Sequence, residues 1–175
     1  PPGGAVTAFI STPVWVQVHL PDAGFLLHEN TTLRLSDTWF GPSTIMGELC
    51  YAVRTSVRFQ LENLPLRPYR AISVVKILNH ADTPLPLARL RLPLRGLSLF
   101  AAENGRLWTE AITLDRRGNN DLAEIKLGNS APREAGKCLR VSSPREQIDK
   151  RNPIRSFASL FGLGKGGKTH ERGVE

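Results

Sequence analysis

The feature that most constrains the fold is an alternation between Gly47 and Leu61. Leu49, Tyr51, Val53, Val57, Phe59 and Leu61 fall on one face, and Cys50, Ala52, Arg54, Ser56, Arg58 and Gln60 on the other. Side chains of a pleated strand alternate with period two, whereas a helix brings every third or fourth residue to one side. The stretch is therefore predicted as strand, with its apolar face inward as in an antiparallel sheet. Val14–Leu20 repeats the pattern, with Val14, Val16, Val18 and Leu20 on one face, and Thr32–Ser36 repeats it more briefly. Tyr69–Asn79 is apolar on both faces through Ile72, Val74, Val75, Ile77 and Leu78, which predicts a central strand.

The remaining strands are separated by turn residues. Pro21–Gly24 and His80–Pro84 read as turns, and Glu103-Asn104-Gly105 is a hairpin signal, because Asn-Gly accepts the positive φ of a tight turn. In Leu85–Arg95, Leu90, Leu92 and Leu94 alternate with Arg89, Arg91 and Arg95. Leu85 and Leu87 have the other parity, so a bulge is predicted near Ala88, and Pro86 and Pro93 place the run at a sheet edge. Short strands follow at Leu97–Ala101, Arg106–Asp115 (Trp108, Ile112 and Leu114 on one face) and Leu122–Leu127. Strands at this spacing predict an all-β antiparallel sandwich with Ig-like packing and the Leu49–Leu61 face in its core. Thirteen prolines and fifteen glycines in 175 residues agree with many turns and few helices.

Texture and charge both change near Gly128. Residues 1–128 hold 13 Lys/Arg against 11 Asp/Glu, whereas residues 129–175 hold 10 against 5. The reading is a β domain over 1–128 and an extension over 129–175 with one strand near Cys138–Val141 and a basic tail. Within the tail, Asn152 is a good N-cap, Pro153 suits the first helical position and Gly162 the end. Ile154, Phe157, Ala158 and Phe161 have helical spacing, so a short amphipathic helix is predicted near 153–161. With Arg151, Arg155, Lys165 and Lys168 around it, it has two ordered fates besides simple disorder. It docks, through Ile154, Arg155, Phe157 and Phe161, on an anionic membrane or a partner's groove, or it folds back over its own domain.

No catalytic set emerges. Gly162–Thr169 matches the phosphate-loop pattern letter for letter, but only His170–Glu175, containing Gly173, follows it, and the pattern needs a helix there. His19, His28, His80 and His170 lack metal-ligand spacing, and no nucleophile elbow occurs. The expectation is a non-enzymatic binding or accessory module with no catalytic residue, cofactor or metal. Its alternative is a hydrolase or small-ligand-binding β domain with a site near the His80–Asp82 turn. Arg54 and Arg58 on one strand, with Arg89, Arg91 and Arg95 on another, would make an anion or partner patch if those strands were neighbours. Exposed aromatics between the basic residues are missing, so nucleic acid is not an expected partner; a protein is. Cys50 and Cys138 are read as reduced thiols in a cytoplasmic protein, with a single disulfide in an exported one as the other reading. Because the first residue is Pro1, an upstream segment or removed signal peptide stays open.

Certain strand and turn textures carry a resemblance. Trp39-Phe40-Gly41-Pro42, Gly47-Glu48-Leu49-Cys50-Tyr51, Val74–Asn79, Leu90-Arg91-Leu92-Pro93, Leu97-Ser98-Leu99-Phe100 and Leu107-Trp108-Thr109-Glu110 together resemble the archaeal and bacterial domain of unknown function family 432. The similarity covers roughly Trp15 to Leu127. It implies no established activity, so it transfers no functional residue. It also implies genes near small mechanosensitive channels, and with them a cytoplasmic accessory role at the membrane surface.

Overall fold

In the computed structural model the described residues are 1–21, 24–41, 45, 47–52, 57–87, 89–119, 122–147, 154–155 and 157–158. Their strands in chain order are β1 (Ala5–Pro13), β2 (Trp15–His19), β3 (Leu26–Thr31), β4 (Ser36–Phe40), β5 (Glu48–Ala52), β6 (Arg70–Asn79) and β7 (Arg89–Leu90). There follow β8 (Leu99–Ala102), β9 (Leu107–Thr109), β10 (Ile112–Arg116), β11 (Leu122–Leu127), β12 (Cys138–Ser142), β13 (Ile154–Arg155) and β14 (Phe157–Ala158). No α-helix occurs among the described residues.

The run that is apolar on both faces, β6, is the centre of the main sheet. It pairs antiparallel with β1 along nine residues, from Ala5↔Leu78 to Pro13↔Arg70. On its other side it pairs parallel with β9 through Ala71 and Ile72, then with β10 from Val75 to Asn79. β8 and β12 extend the sheet beyond β9, and β11 and β13 extend it beyond β10. Neighbours along β1 and β6 point to opposite faces, and each face has its own core. Ala8, Ile10, Val75 and Ile77 pack with Ile112, Leu114 and Ile125. Phe9, Ile72 and Val74 pack with Phe100, Trp108 and Leu64. Between the layers, three buried hydroxyls cross three strands. Ser73 Oγ lies 3.1 Å from Thr12 Oγ1 and 2.9 Å from Thr109 Oγ1.

The all-β expectation therefore holds, but the main sheet is curled and mixed instead of an antiparallel Ig-like sandwich. The parallel pairs arise because β9 and β10 return along β6 in its own direction. They also form one interrupted strand. Leu107 and Trp108 sit opposite Ala71 and Ile72, whereas Ile112 and Thr113 sit opposite Val75 and Lys76, so one extra residue is inserted between them. A bulge of this kind flips the side-chain faces. Trp108 consequently enters one core while Ile112 and Leu114 enter the other, which corrects the single face predicted for all three. The bulged Glu110 is buried, and its Oε2 accepts the Ser98 N–H at 2.5 Å.

The alternating stretch at Gly47–Leu61 is the main correction. Its described strand ends at Ala52, and β5 pairs only with β4. Gly47 is needed at the turn between them, since a Cβ there would come within 2.7 Å of Trp39 Nε1. Of the described residues on the apolar face, only Leu61 packs, partly buried, against a core. Leu49, Tyr51, Val57 and Phe59 are all exposed, Leu49 at 68%. The β2–β3 hairpin behaves likewise, with Val16, Val18, Leu20, Leu26 and Leu27 exposed. Pattern specifies which face of a strand is apolar; these hairpins stand off the main sheet, so nothing in the chain's described residues covers them.

Elsewhere the sequence reading holds. The Asn104-Gly105 hairpin joins β8 to β9, with Gly105 at φ 76° and Asn104 Oδ1 accepting the Arg106 N–H. Leu90, Leu92 and Leu94 pack partly buried against the first core. The strand expected near Cys138 is β12, and it joins the main sheet beside β8. The helix predicted near 153–161 is not found at its described residues. Ile154–Arg155 pairs with Leu122–Ala123, and Phe157–Ala158 pairs with Arg89–Leu90. An isolated helix of this length is marginal, and free strand edges offer its backbone alternative partners. Cys50 and Cys138 are both free thiols.

Candidate functional site

The hairpins β2–β3 and β4–β5, the Arg95 turn and the segment after β12 enclose a cleft of about 640 Å³. Trp15, Glu29, Arg34, Tyr51, Arg95 and Arg145 line it. Arg145 is held twice: it forms an ion pair with Glu29, and its guanidinium lies 4.5 Å from the centroid of the Trp15 ring. The backbone N–H groups of Arg145 and Glu146 donate to Arg95 O at 2.8 and 3.0 Å, which fixes both segments to one carbonyl. Arg95 Nη1 meets Glu146 Oε1 at 2.5 Å. The hydrogen bond that Arg95 donates to Glu146 is the main reason the Arg95 pKa is raised, and Tyr51 adds to it. Arg34 is exposed and forms no ion pair with another described residue. The cleft thus combines one uncompensated cation, two cations held by carboxylates and two aromatic rings. That arrangement suits a carboxylate flanked by apolar groups.

Of the four described arginines among the five expected to form a patch, Arg95 alone lines this cleft. Arg54 lies outside the described residues. Arg58 is bridged by its backbone to Phe9 of β1. Arg89 lies 5.8 Å from the centroid of the Phe40 ring, and Arg91 is half-buried. Arg34, Arg145 and Trp15 were not singled out as site residues by the sequence reading. Of the expected docking residues, Ile154, Arg155 and Phe157 have the strand backbone given above, and Phe161 lies outside the described residues. So does the phosphate-loop-like stretch Gly162–Thr169.

The His80–Asp82 turn has a different chemistry from the one expected. His80 Nδ1 donates to Asp115 Oδ1 at 2.8 Å, not to Asp82. Asp115 is buried, with its side chain 4% exposed, and Arg117 Nε donates to its other oxygen at 3.1 Å. Beside them, Arg116 Nη1 donates to Asn79 Oδ1 and to Thr83 O, each at 3.0 Å, which ties the end of β6 to β10. Among the described residues no three His, Cys, Asp or Glu side chains are placed to hold a metal ion.

Burial alone would push the Asp115 carboxyl up, but the hydrogen bonds from Arg117 and His80 outweigh it and hold the group below its ordinary value. A carboxylate depressed on folding contributes stability above its unfolded pKa, about 3.9 for Asp, and that stability is lost as pH falls through the folded value. The unfolding free-energy difference between the native chain and Asp115→Asn is therefore expected to stay level from about pH 7 to 5 and to shrink below about pH 4. Urea titrations at several pH values measure it. A difference that persists undiminished at about pH 2 would mean the ion pairs do not form.

Curled mixed sheet, paired hairpins and arginine-lined cleft together define a small all-β protein with a cleft that is open to solvent and basic at its rim. The chain belongs to the family described as "Protein of unknown function (DUF432)", whose model matches residues 1–161. The match reaches beyond the stretch from Trp15 to Leu127 at both ends. Comparison with curated proteins and with solved structures gives no match. No helix among the described residues is long and apolar enough to cross a membrane.

Proposed function

We propose that this chain is a binding module, not an enzyme, and that its partner is a protein laying an acidic segment with flanking apolar side chains across the cleft. One observation carries the reading. The strands that wall an arginine-lined cleft also leave Val16, Val18 and Leu49 in water, although the runs that contain them alternate as a covered face does. Exposed apolar surface rimmed by charge marks interaction sites. β2–β3 and β4–β5 pair only within themselves among the described strands, so their outer edges are open to an added strand from the partner. The basic segment 129–175 supplies a second contact, with an anionic membrane surface or a membrane-protein partner, in the cytoplasm. The rival hydrolase reading has the His80–Asp115 pair in its favour, but the cleft does not reach that turn.

The probe is a fluorescently labelled peptide of alternating Asp and Leu, read by anisotropy. Arg34→Glu is expected to weaken binding about tenfold, or about 1.4 kcal/mol. Added salt should weaken the native protein more than the variant. Equal affinity of the two proteins would refute the cleft as the binding surface. In the same assay, a chain ending at Gln147 should keep the peptide while losing sedimentation with phosphatidylserine vesicles.

A further inference from the structure

A second basic site lies away from the cleft and has no counter-charge among the described residues. The segment Pro65–Arg67 and the starts of β6 and β9 enclose a niche lined by Arg67, Arg70, Arg106, Leu66 and Ile72. It is small, leaving about 10 Å³ for the centre of a water-sized particle. Arg70 is only 7% exposed. Its Nη2 donates to Ser11 O at 2.6 Å, while its Nε is buried with no protein partner. Arg106 donates through Nη2 to Leu64 O at 3.1 Å, and its Nη1 is likewise buried and unpartnered. No carboxylate of a described residue forms an ion pair with any of the three arginines.

Buried, unpartnered donors on charged groups are costly, because water that solvated them in the unfolded chain has been removed without replacement. A single water would satisfy the donors yet leave the guanidinium charges uncompensated. An anion does both. We propose that this niche binds one monatomic anion of the chloride class, held by the guanidinium groups of Arg70 and Arg106 with Arg67 at its mouth. A niche this small favours a compact ion over a bulkier one. The ion joins the segment before β6 to the β8–β9 hairpin, two parts of the chain linked here by the Arg106 to Leu64 hydrogen bond. Burial foremost, and the adjacent Arg67 charge after it, lower the Arg70 pKa, as expected where cations meet without a counterion.

Two measurements test the site on the full chain. Crystals grown in sodium bromide should show an anomalous peak between Arg70 and Arg106. Melting in sodium chloride should exceed that in sodium gluconate of equal ionic strength by about 2–4 °C, saturating with chloride concentration. Arg67→Gln alters an exposed residue and leaves the core intact. It should raise the chloride concentration at half-effect several-fold. Absence of a bromide peak, equal melting in the two salts, or a larger gain with inorganic phosphate than with chloride each overturns the assignment.

Discussion

Trp108→Ala is expected to lower the unfolding free energy by about 3–5 kcal/mol, and Phe59→Ala by less than about 0.5 kcal/mol. Both replace a large aromatic by a methyl group, so the contrast isolates burial. Trp108 is 0% exposed and packs with Phe9, Ile72, Val74 and Phe100, so truncation leaves a cavity that a sheet on one side cannot close. Its indole N–H has no protein partner, so no hydrogen bond is lost with the ring. Phe59 is 67% exposed and gives up little on truncation. Urea unfolding of the two variants beside the native chain decides it. Equal costs would mean that the apolar face of Val57 and Phe59 is covered after all, as its alternation implies.

That contrast marks where the sequence is legible and where it is not. β6 could be read directly, since a strand covered on both faces needs apolar residues at both parities, as Ile72, Val74, Val75 and Ile77 provide. The Asn104-Gly105 turn was legible for an equally local reason, the backbone conformation that Gly105 adopts. The bulge between β9 and β10 was not. No glycine or proline marks it, and Thr109-Glu110-Ala111 reads as continuous strand until Glu110 is seen accepting from Ser98. Burial of the hairpin faces was beyond local reading as well. Alternation around Leu49 specifies a pleated strand with one apolar side, while the position of that strand relative to the main sheet depends on contacts far apart in sequence.

The cleft illustrates the same limit for function. Its charged groups come from Glu29, Arg34, Arg95 and Arg145, which no local spacing relates. The five-arginine patch rested on two strands being neighbours; Arg58 instead bridges to β1, and Arg89–Leu90 pairs with Phe157–Ala158. One signal was available in principle. Trp15 opens a strand of modest length whose valines alternate, and a tryptophan at the margin of such a strand offers a flat face for a cation. Which arginine would occupy it is decided by the tertiary fold.

The sequence reading also missed β1, and a chain beginning at Val14 is expected to lose cooperative folding. Ala5–Pro13 escaped notice because, like β6, it faces a core on each side and so does not alternate: Ala8 and Ile10 enter one core and Phe9 the other. Removing it withdraws an apolar contribution of about 1.5–3 kcal/mol for each of Phe9 and Ile10, against a total stability of about 5–15 kcal/mol for a typical domain. It also strips β6 of its antiparallel partner along nine residues. Buried polar groups then lose their acceptors: Arg70 Nη2 its bond to Ser11 O, and Asn79 Nδ2 its bond to Pro1 O. The loss of both cores at once leaves no intact half on which the remainder can fold. Calorimetry should show no cooperative transition, and dye binding should report exposed apolar surface. A cooperative transition with a midpoint near that of the full chain would mean that β6 is held by β9 and β10 alone. The two cores would then not be joined through β1.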